Sequence, residues 1–275
     1  MRRIDLHVHS HASDGAFSPT AVVRAAIEGG LHVLALADHD TAAGVKEAQA
    51  AAEGMLLKIV PAIEVSARHG DAEVHVLGYW IDPDAESVRL HCEASVARRE
   101  DRMRRMIAKL QEQGVRIEWE DVLKAAGPDA ASIGRPHLAR ALLAAGPTRY
   151  YGEAFDRYLR DGGSAFVETD FPSVREAIET IHGAGGRAVW AHPPAELFDR
   201  EVRAFVECGL DGVECYRPNT PPAEAHLLEV ACRTLGLIPT GGSDWHGPHR
   251  TRLGEFYVRG EDVQEMLALG GLAAV

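Results

Sequence analysis

Near its start the chain reads Ile4-Asp5-Leu6-His7-Val8-His9-Ser10, two imidazoles one residue apart. In an extended strand successive side chains alternate faces, so His7 and His9 project together, with Val8 opposite. Two imidazoles that close can hold one ion. A lone His-x-His fits equally well with a surface strand carrying incidental histidines. Further along, Asp38-His39-Asp40, Glu64, His75, His192 and Ser243-Asp244-Trp245-His246 follow short apolar runs. Imidazoles mixed with carboxylates suit Mn²⁺, Fe²⁺ or Zn²⁺, whereas an all-oxygen set suits Mg²⁺. Ions held this way activate water and neutralise anionic substrates.

The elements that would carry these residues alternate. Ser18-Pro19-Thr20 supplies a cap and an early proline for a helix that Gly29-Gly30 stops. Val33-Leu34-Ala35-Leu36-Ala37 reads as a buried strand delivering Asp38, His39 and Asp40. A helix over about 42–53 leads to a third strand, Leu57 to Ile63, ending at Glu64, and Val74 to Tyr79 makes a fourth. This rhythm predicts parallel βαβ units, with active-site residues in the loops after strands. From Glu86 to Gln113 runs a long charged helix whose Leu90, Val96, Met103, Met106, Ile107 and Leu110 form the expected buried stripe. Helices around 118–126, 136–145 and 151–160 follow without a strand, which marks an inserted helical subdomain at 98–167. We expect it to cap the strand-end face, with a side decoration as the alternative. Strands then resume at Arg187–Ala191, Gly212–Tyr216 and Leu237–Thr240, ending in Gly241-Gly242-Ser243-Asp244. The expected fold is α/β: a distorted (β/α)7 barrel formed by 1–97 and 168–275, with the helical insertion between.

These motifs, Asp-Leu-His-x-His-Ser, Ala-Asp-His-Asp, a glutamate closing the third strand, Ala-His-Pro and Gly-Ser-Asp-x-His, resemble the PHP (polymerase and histidinol phosphatase) family of metal-dependent phosphoesterases. The resemblance covers residues 1–97 and about 168–258. It implies nine ligands for three divalent ions, Mn²⁺ foremost, with Fe²⁺ or Zn²⁺ as alternatives. His7, His9, Glu64 and Asp244 would hold one ion, and Glu64 would bridge to a second held by His75 and His192. Asp14, His39 and His246 would hold a third, with His11 as the alternative to Asp14. The implied reaction is phosphoester hydrolysis by a metal-bridging hydroxide, with Asp244, Glu64 and His192 as the catalytic set. Among the family, the Ser-Asp-Gly after His-x-His and the Gly-Arg-Pro-His in the insertion look most like the stand-alone members. Those act on nucleoside 3′,5′-bisphosphates and short 5′-phosphorylated oligonucleotides.

Arginines remain to grip a phosphate. In Ser132-Ile133-Gly134-Arg135-Pro136-His137, Gly134 allows close approach, Pro136 can start a helix and Arg135 can fork onto phosphate. An ordinary helix start with an exposed arginine is the plain alternative. Arg217 and Arg250 are further candidates, and His137 could touch phosphate or simply be solvated. His32, His69, His91, His182 and His226 carry no assigned chemistry. Trp190 and Trp245 flank ligands and would wall the pocket or serve as packing.

Composition bounds the partners. A net charge of −12 over 275 residues argues against a broad surface for duplex nucleic acid but not against a small anion. The expected substrate is therefore a small phosphorylated molecule, a nucleotide or at most short RNA. No stretch approaches the ~20 apolar residues of a membrane span, and no obligate protein partner is evident. A soluble, cytoplasmic protein is the default expectation. The cysteines, Cys92, Cys208, Cys215 and Cys232, include no Cys-x-x-Cys and read as reduced core residues. Competing readings are a histidinol-phosphate phosphatase, an amidohydrolase attacking a C–N bond, and a non-catalytic metal-stabilised scaffold. The filled ligand positions count against the last.

Overall fold

A computed structural model describes residues 2–248 and 251–272. The strands are β1 (Arg3–Val8), β2 (Val33–Leu36), β3 (Lys58–His69), β4 (Ala72–Tyr79), β5 (Arg187–Trp190), β6 (Gly212–Tyr216), β7 (Ile238–Gly241) and the two-residue β8 (Val258–Arg259). They form one sheet in the order β7-β6-β5-β4-β3-β2-β1-β8. Beyond β7 the chain turns alongside β1, with Val8 bridging Trp245 in parallel and the His9 N–H donating to the Trp245 carbonyl at 2.9 Å, which nearly closes the barrel. Gly242 permits this approach, because a Cβ there would stand 2.3 Å from the His7 Cβ. All seven expected strands are present, and β8 adds an antiparallel pair to the outer edge of β1.

The direction of β4 departs from the expected parallel pattern. It pairs antiparallel with β3 through Gly70 and antiparallel with β5. The physical reason was available in the spacing: ten residues between the expected third and fourth strands are too few for a parallel crossover, which needs a dozen or more. His75 consequently lies within β4, opposite Ser66 of β3, and not in a loop after a strand.

Helices α1 (Pro19–Glu28), α2 (Val45–Ala51), α3 (Glu86–Glu112), α4 (Trp119–Ala126), α5 (Arg135–Ala145), α6 (Tyr151–Ala154), α7 (Val174–Gly183), α8 (Ala195–Glu207), α9 (Pro222–Thr234) and α10 (Gln264–Leu269) complete the architecture, and a π-helical turn at Phe155–Leu159 continues α6. Ser18 and Ser173 cap α1 and α7 through their side chains. Leu6, Ala35, Val60, Leu77 and Val189 fill an apolar cluster of the barrel, while Ile178, Ile181, Phe198 and Phe205 pack helices onto the sheet. A further cluster joins Met103, Met106, Ile107 and Leu110 of α3 to Val122, Leu138, Leu142 and Leu159.

The stripe expected on α3 is half right. Leu90 and Val96 are 51% and 47% exposed; their places on the inner face are taken by His91, Ser95, Arg99 and Arg102. This half of α3 lies over the polar strand ends and needs hydrogen-bonding side chains there. No helix among the described residues is long and apolar enough to cross a membrane. Cys215 and Cys232 are buried 3.5 Å apart as free thiols.

Candidate metal centre

The nine residues expected as ligands converge on one place. Alternation along β1 and into the residue that follows it turns His7 and His9 inward, both fully buried. Glu64, midway along β3 and also fully buried, stands at the centre. Its Oε2 lies 3.3 Å from His7 Nε2, 3.3 Å from His9 Nε2 and 3.0 Å from His39 Nδ1. Its Oε1 lies 2.9 Å from His75 Nδ1 and 3.1 Å from His192 Nε2. Asp244 Oδ1 approaches His7, His9 and His246 at 3.5, 3.2 and 3.6 Å. Asp14 Oδ1 sits 3.1 Å from His246 Nε2, whereas His11 points instead toward Asp129 at 4.0 Å. His39 belongs geometrically to two groups, one with Glu64 and His75 and one with His9, Asp14 and His246.

Buried polar atoms ordinarily find partners. Among the described residues, His7 Nε2, both ring nitrogens of His9, His39 Nδ1 and Glu64 Oε2 have no hydrogen-bond partner, although each faces its neighbours in the cluster. Orphaned imidazole nitrogens and a carboxylate oxygen aimed at a shared centre are what a divalent cation would satisfy, so the donor set fits metal ions. Three ligand-bearing turns also hold non-glycine residues at positive φ: Asp40 at 52°, His192 at 31° and Asp244 at 52°. Such conformations are held against their own preference by surrounding contacts and cluster at functional sites.

Electrostatics follow from the crowding. Burial works against charge on every group, yet Glu64 and Asp14 are held well below the usual carboxylate range by neighbouring imidazoles. Against the same burial, Glu64 and Asp14 push His75 and His246 up to about 10. Burial prevails at His39, which falls to about 3.

Residues behind the candidate ligands fix their orientation, and their sequence context did not single out most of them. Glu214 of β6, fully buried, has Oε1 2.9 Å from His7 Nδ1 and accepts the His192 N–H at 2.8 Å. Asp38 accepts from Ser10 and Ser13, and Asp5 accepts the Ser243 N–H. Asp40 takes Arg99 of α3 and lies 2.9 Å from His91 Nε2. A glutamate within the otherwise apolar Gly212-Val-Glu-Cys-Tyr strand was the one clear signal, since a charge there needs a buried partner.

Two cavities open on the cluster. One, of ≈ 140 Å³, is lined by Asp14, His39, Glu73, His75, Arg99 and Arg135; the other, of ≈ 570 Å³, by Asp14, Arg140, Tyr151, Asp244, Trp245 and His246. Arg135 thus lines the smaller cavity beside His39 and His75. His137 does not: it is 1% exposed, its Nδ1 accepts the Gly134 N–H at 2.9 Å, and burial lowers it to about 4. It holds the turn presenting Arg135 and is neither solvated nor free to touch substrate. Arg217 lines a different cleft with Tyr216, Thr220 and Tyr257. Arg250 lies outside the described residues. Trp245 walls the larger cavity, but Trp190 is core, packed on Phe198 and Phe205.

A distorted barrel whose strand ends gather imidazoles and carboxylates around a central glutamate defines a metal-dependent hydrolase. The chain belongs to the PHP family of metal-dependent phosphoesterases; the PHP domain model matches residues 5–86. It is 33% identical over 252 residues to a 5′-3′ exoribonuclease of Haemophilus influenzae, covering 90% of this chain and 91% of that protein. It is 32% identical over 253 residues to a 3′,5′-nucleoside bisphosphate phosphatase of Chromobacterium violaceum (90% and 88% covered). With a phosphoribosyl 1,2-cyclic phosphate 1,2-diphosphodiesterase of Eggerthella lenta it shares 33% over 248 residues (88% and 94%). A crystal structure from Bifidobacterium adolescentis, described as a metal-dependent phosphoesterase, superposes with a TM-score of 0.88 at 35% identity, covering 100% of this chain and 97% of that one.

Proposed function

We propose that the protein hydrolyses the 3′-phosphate of nucleoside 3′,5′-bisphosphates, giving a 5′-nucleotide and phosphate, and also trims short 5′-phosphorylated oligonucleotides. The observation that carries this reading is the nine-residue cluster around Glu64 with Arg99, Arg135 and Arg140 in the walls of its two cavities. His7, His9, Glu64 and Asp244 would hold one divalent ion, Glu64, His75 and His192 a second, and Asp14, His39 and His246 a third, with Mn²⁺ the leading candidate. When bound, such ions supply an activated water and neutralise the phosphoryl oxygens. The chain's own part is positioning. Arg135 in the smaller cavity and Arg140 in the larger are placed to grip phosphate oxygens there, and His137 fixes the turn that presents Arg135. The segment 98–167 acts as a cap, since its arginines complete both cavities.

Glu73 is the one carboxylate in the smaller cavity outside the nine proposed ligands, and Arg135 and His75 already contact it. That leaves the cavity poorly suited to the ammonium of histidinol phosphate. The similarity to relatives named for ribonucleotide substrates points the same way, and the cyclic phosphodiester named for the Eggerthella relative is a second substrate to try. The test is phosphate release by Mn²⁺-loaded protein from adenosine 3′,5′-bisphosphate beside 5′-AMP, 3′-AMP, histidinol phosphate and the cyclic phosphodiester. Preference for the bisphosphate is the expected result. Equal or better turnover of histidinol phosphate would overturn the substrate assignment while leaving the metal chemistry.

A further inference from the structure

We infer that Glu73 is a positioning residue that ties the metal centre to the anion-binding arginine. Alternation along β4 places Glu73 and His75 on one face of the strand. The carboxylate then divides its two oxygens. Oε1 lies 3.3 Å from His75 Nε2, and Oε2 accepts from Arg135 Nη2 at 3.3 Å. His75 turns its other nitrogen, Nδ1, to Glu64 at 2.9 Å, so one imidazole links the centre of the cluster to Glu73. Arg135 sends Nη1 to Asp161 at 2.7 Å, but that carboxylate is 73% exposed, whereas the Glu73 side chain is only 24% exposed. Glu73 is therefore the sheltered anchor of the guanidinium.

The chemistry follows from each contact. A ligating histidine whose far N–H is held by a carboxylate is fixed in tautomer and ring orientation, and loss of that partner typically costs 10–100-fold in metal affinity or activity. A guanidinium anchored by Glu73 is kept in the wall of the ≈ 140 Å³ cavity that it lines with His39, His75 and Arg99. Glu73 serves both ends at once because each oxygen has its own partner. A glutamine retains one acceptor oxygen and must abandon one of them. The metal half of this inference stands without the proposed substrate; the anion half rests on Arg135 meeting a phosphate.

The test compares Glu73→Gln and Glu73→Asp with the unaltered protein. Calorimetric titration of metal-free protein with Mn²⁺ reads the metal half, and binding of inorganic phosphate to the Mn²⁺-loaded protein reads the anion half. Glu73→Gln is expected to weaken at least one Mn²⁺ step about 10-fold or more and to weaken phosphate. Glu73→Asp, with both oxygens kept, should recover part of each. In an Arg135→Ala background, Glu73→Gln should still cost Mn²⁺ affinity but add no further loss of phosphate. Unaltered Mn²⁺ affinity in Glu73→Gln, or phosphate losses that simply add, would overturn the inference. Neither readout uses the bisphosphate, so a wrong substrate would not be mistaken for a wrong role of Glu73.

Discussion

Replacing Arg99 by alanine should loosen the joint between α3 and the barrel. Arg99 is 8% exposed and Asp40 1%. Its Nε donates to Asp40 Oδ2 at 2.8 Å, and Nη2 donates to the same oxygen and to Ser66 Oγ. Removing one partner of a buried ion pair costs about 3–5 kcal/mol, because the other charge stays behind without compensation. His91 at 2.9 Å and the Ser66 N–H at 2.8 Å still face Asp40 Oδ1, which puts the expectation near the lower end, about 3 kcal/mol. With an unfolding entropy of about 2.1 cal/mol/K per residue over 275 residues, that is a fall in Tm of about 5 °C. Calorimetry on EDTA-treated protein keeps metal linkage out of the comparison. The pH dependence has a fixed sign. Burial alone would raise Asp40, but Arg99 and His91 hold it well below the carboxylate range. Its contribution is therefore present above the unfolded pKa of 3.8 and is lost as pH falls below it. Without Arg99, burial dominates, the carboxyl takes a proton more readily, and the deficit should shrink between pH 7.5 and pH 4.5. Asp40→Asn combined with Arg99→Met should recover most of the loss, since no charge is then stranded. A variant melting within a degree of the parent at pH 7.5, or an undiminished deficit at pH 4.5, would refute the reasoning.

Asp244→Asn should drop turnover to background and lower bound metal by one ion while the protein still folds; full activity in this variant would sink the proposed cluster. Metal loading should release protons. Although burial opposes it, Glu64 and its neighbours raise His7 well above 6.5, and His75 and His246 rise to about 10. His75 and His246 hold protons at pH 7.5 and must shed them to ligate, so Mn²⁺ affinity should climb with pH up to that range. Titrations in Tris and HEPES should differ in heat by about two protons' worth of buffer ionisation, one each from His75 and His246, and identical heats would contradict the assignment. Met106→Ala, at a fully buried position in the apolar cluster of the helical segment, should cost about 2–5 kcal/mol in urea unfolding without altering Mn²⁺ stoichiometry.

The strands were legible because strands buried on both faces are short apolar runs, as in Val33–Leu36 and, after its exposed first residue, Arg187–Trp190. β8 was not, since two residues carry no periodicity. The reversal at β4 could have been read from connection length but not from the strand's own pattern, because an apolar run looks the same in either direction. On α3, hydrophobicity alone misplaced the inner face. Arg99 and Arg102 lie three residues apart and in step with Met103 and Met106, so the charged and apolar buried residues form one stripe whose character changes where the helix passes from the strand ends to its own apolar cluster.

The residues of the cluster were legible for a different reason from their supports. His7, His9, His192, Asp244 and His246 sit in short motifs directly attached to apolar strands, where an imidazole or carboxylate has no ordinary reason to be. The supporting charges are scattered through a chain that is 25% charged, and their partners are remote: Glu214 is 207 residues from His7, and Arg99 is 59 from Asp40. Spacing cannot encode such pairs. What the sequence does reveal is the demand for them. A histidine buried as deeply as His7 needs its second nitrogen satisfied, and a carboxylate such as Asp40, fixed beside His39 at positive φ, needs a counter-charge from whatever element lies above it. The helical segment supplies that counter-charge through Arg99 and places Arg135 and Arg140 in the walls of the two cavities, so the part of the chain with the fewest recognisable motifs is joined to the turn that carries His39 by a buried ion pair.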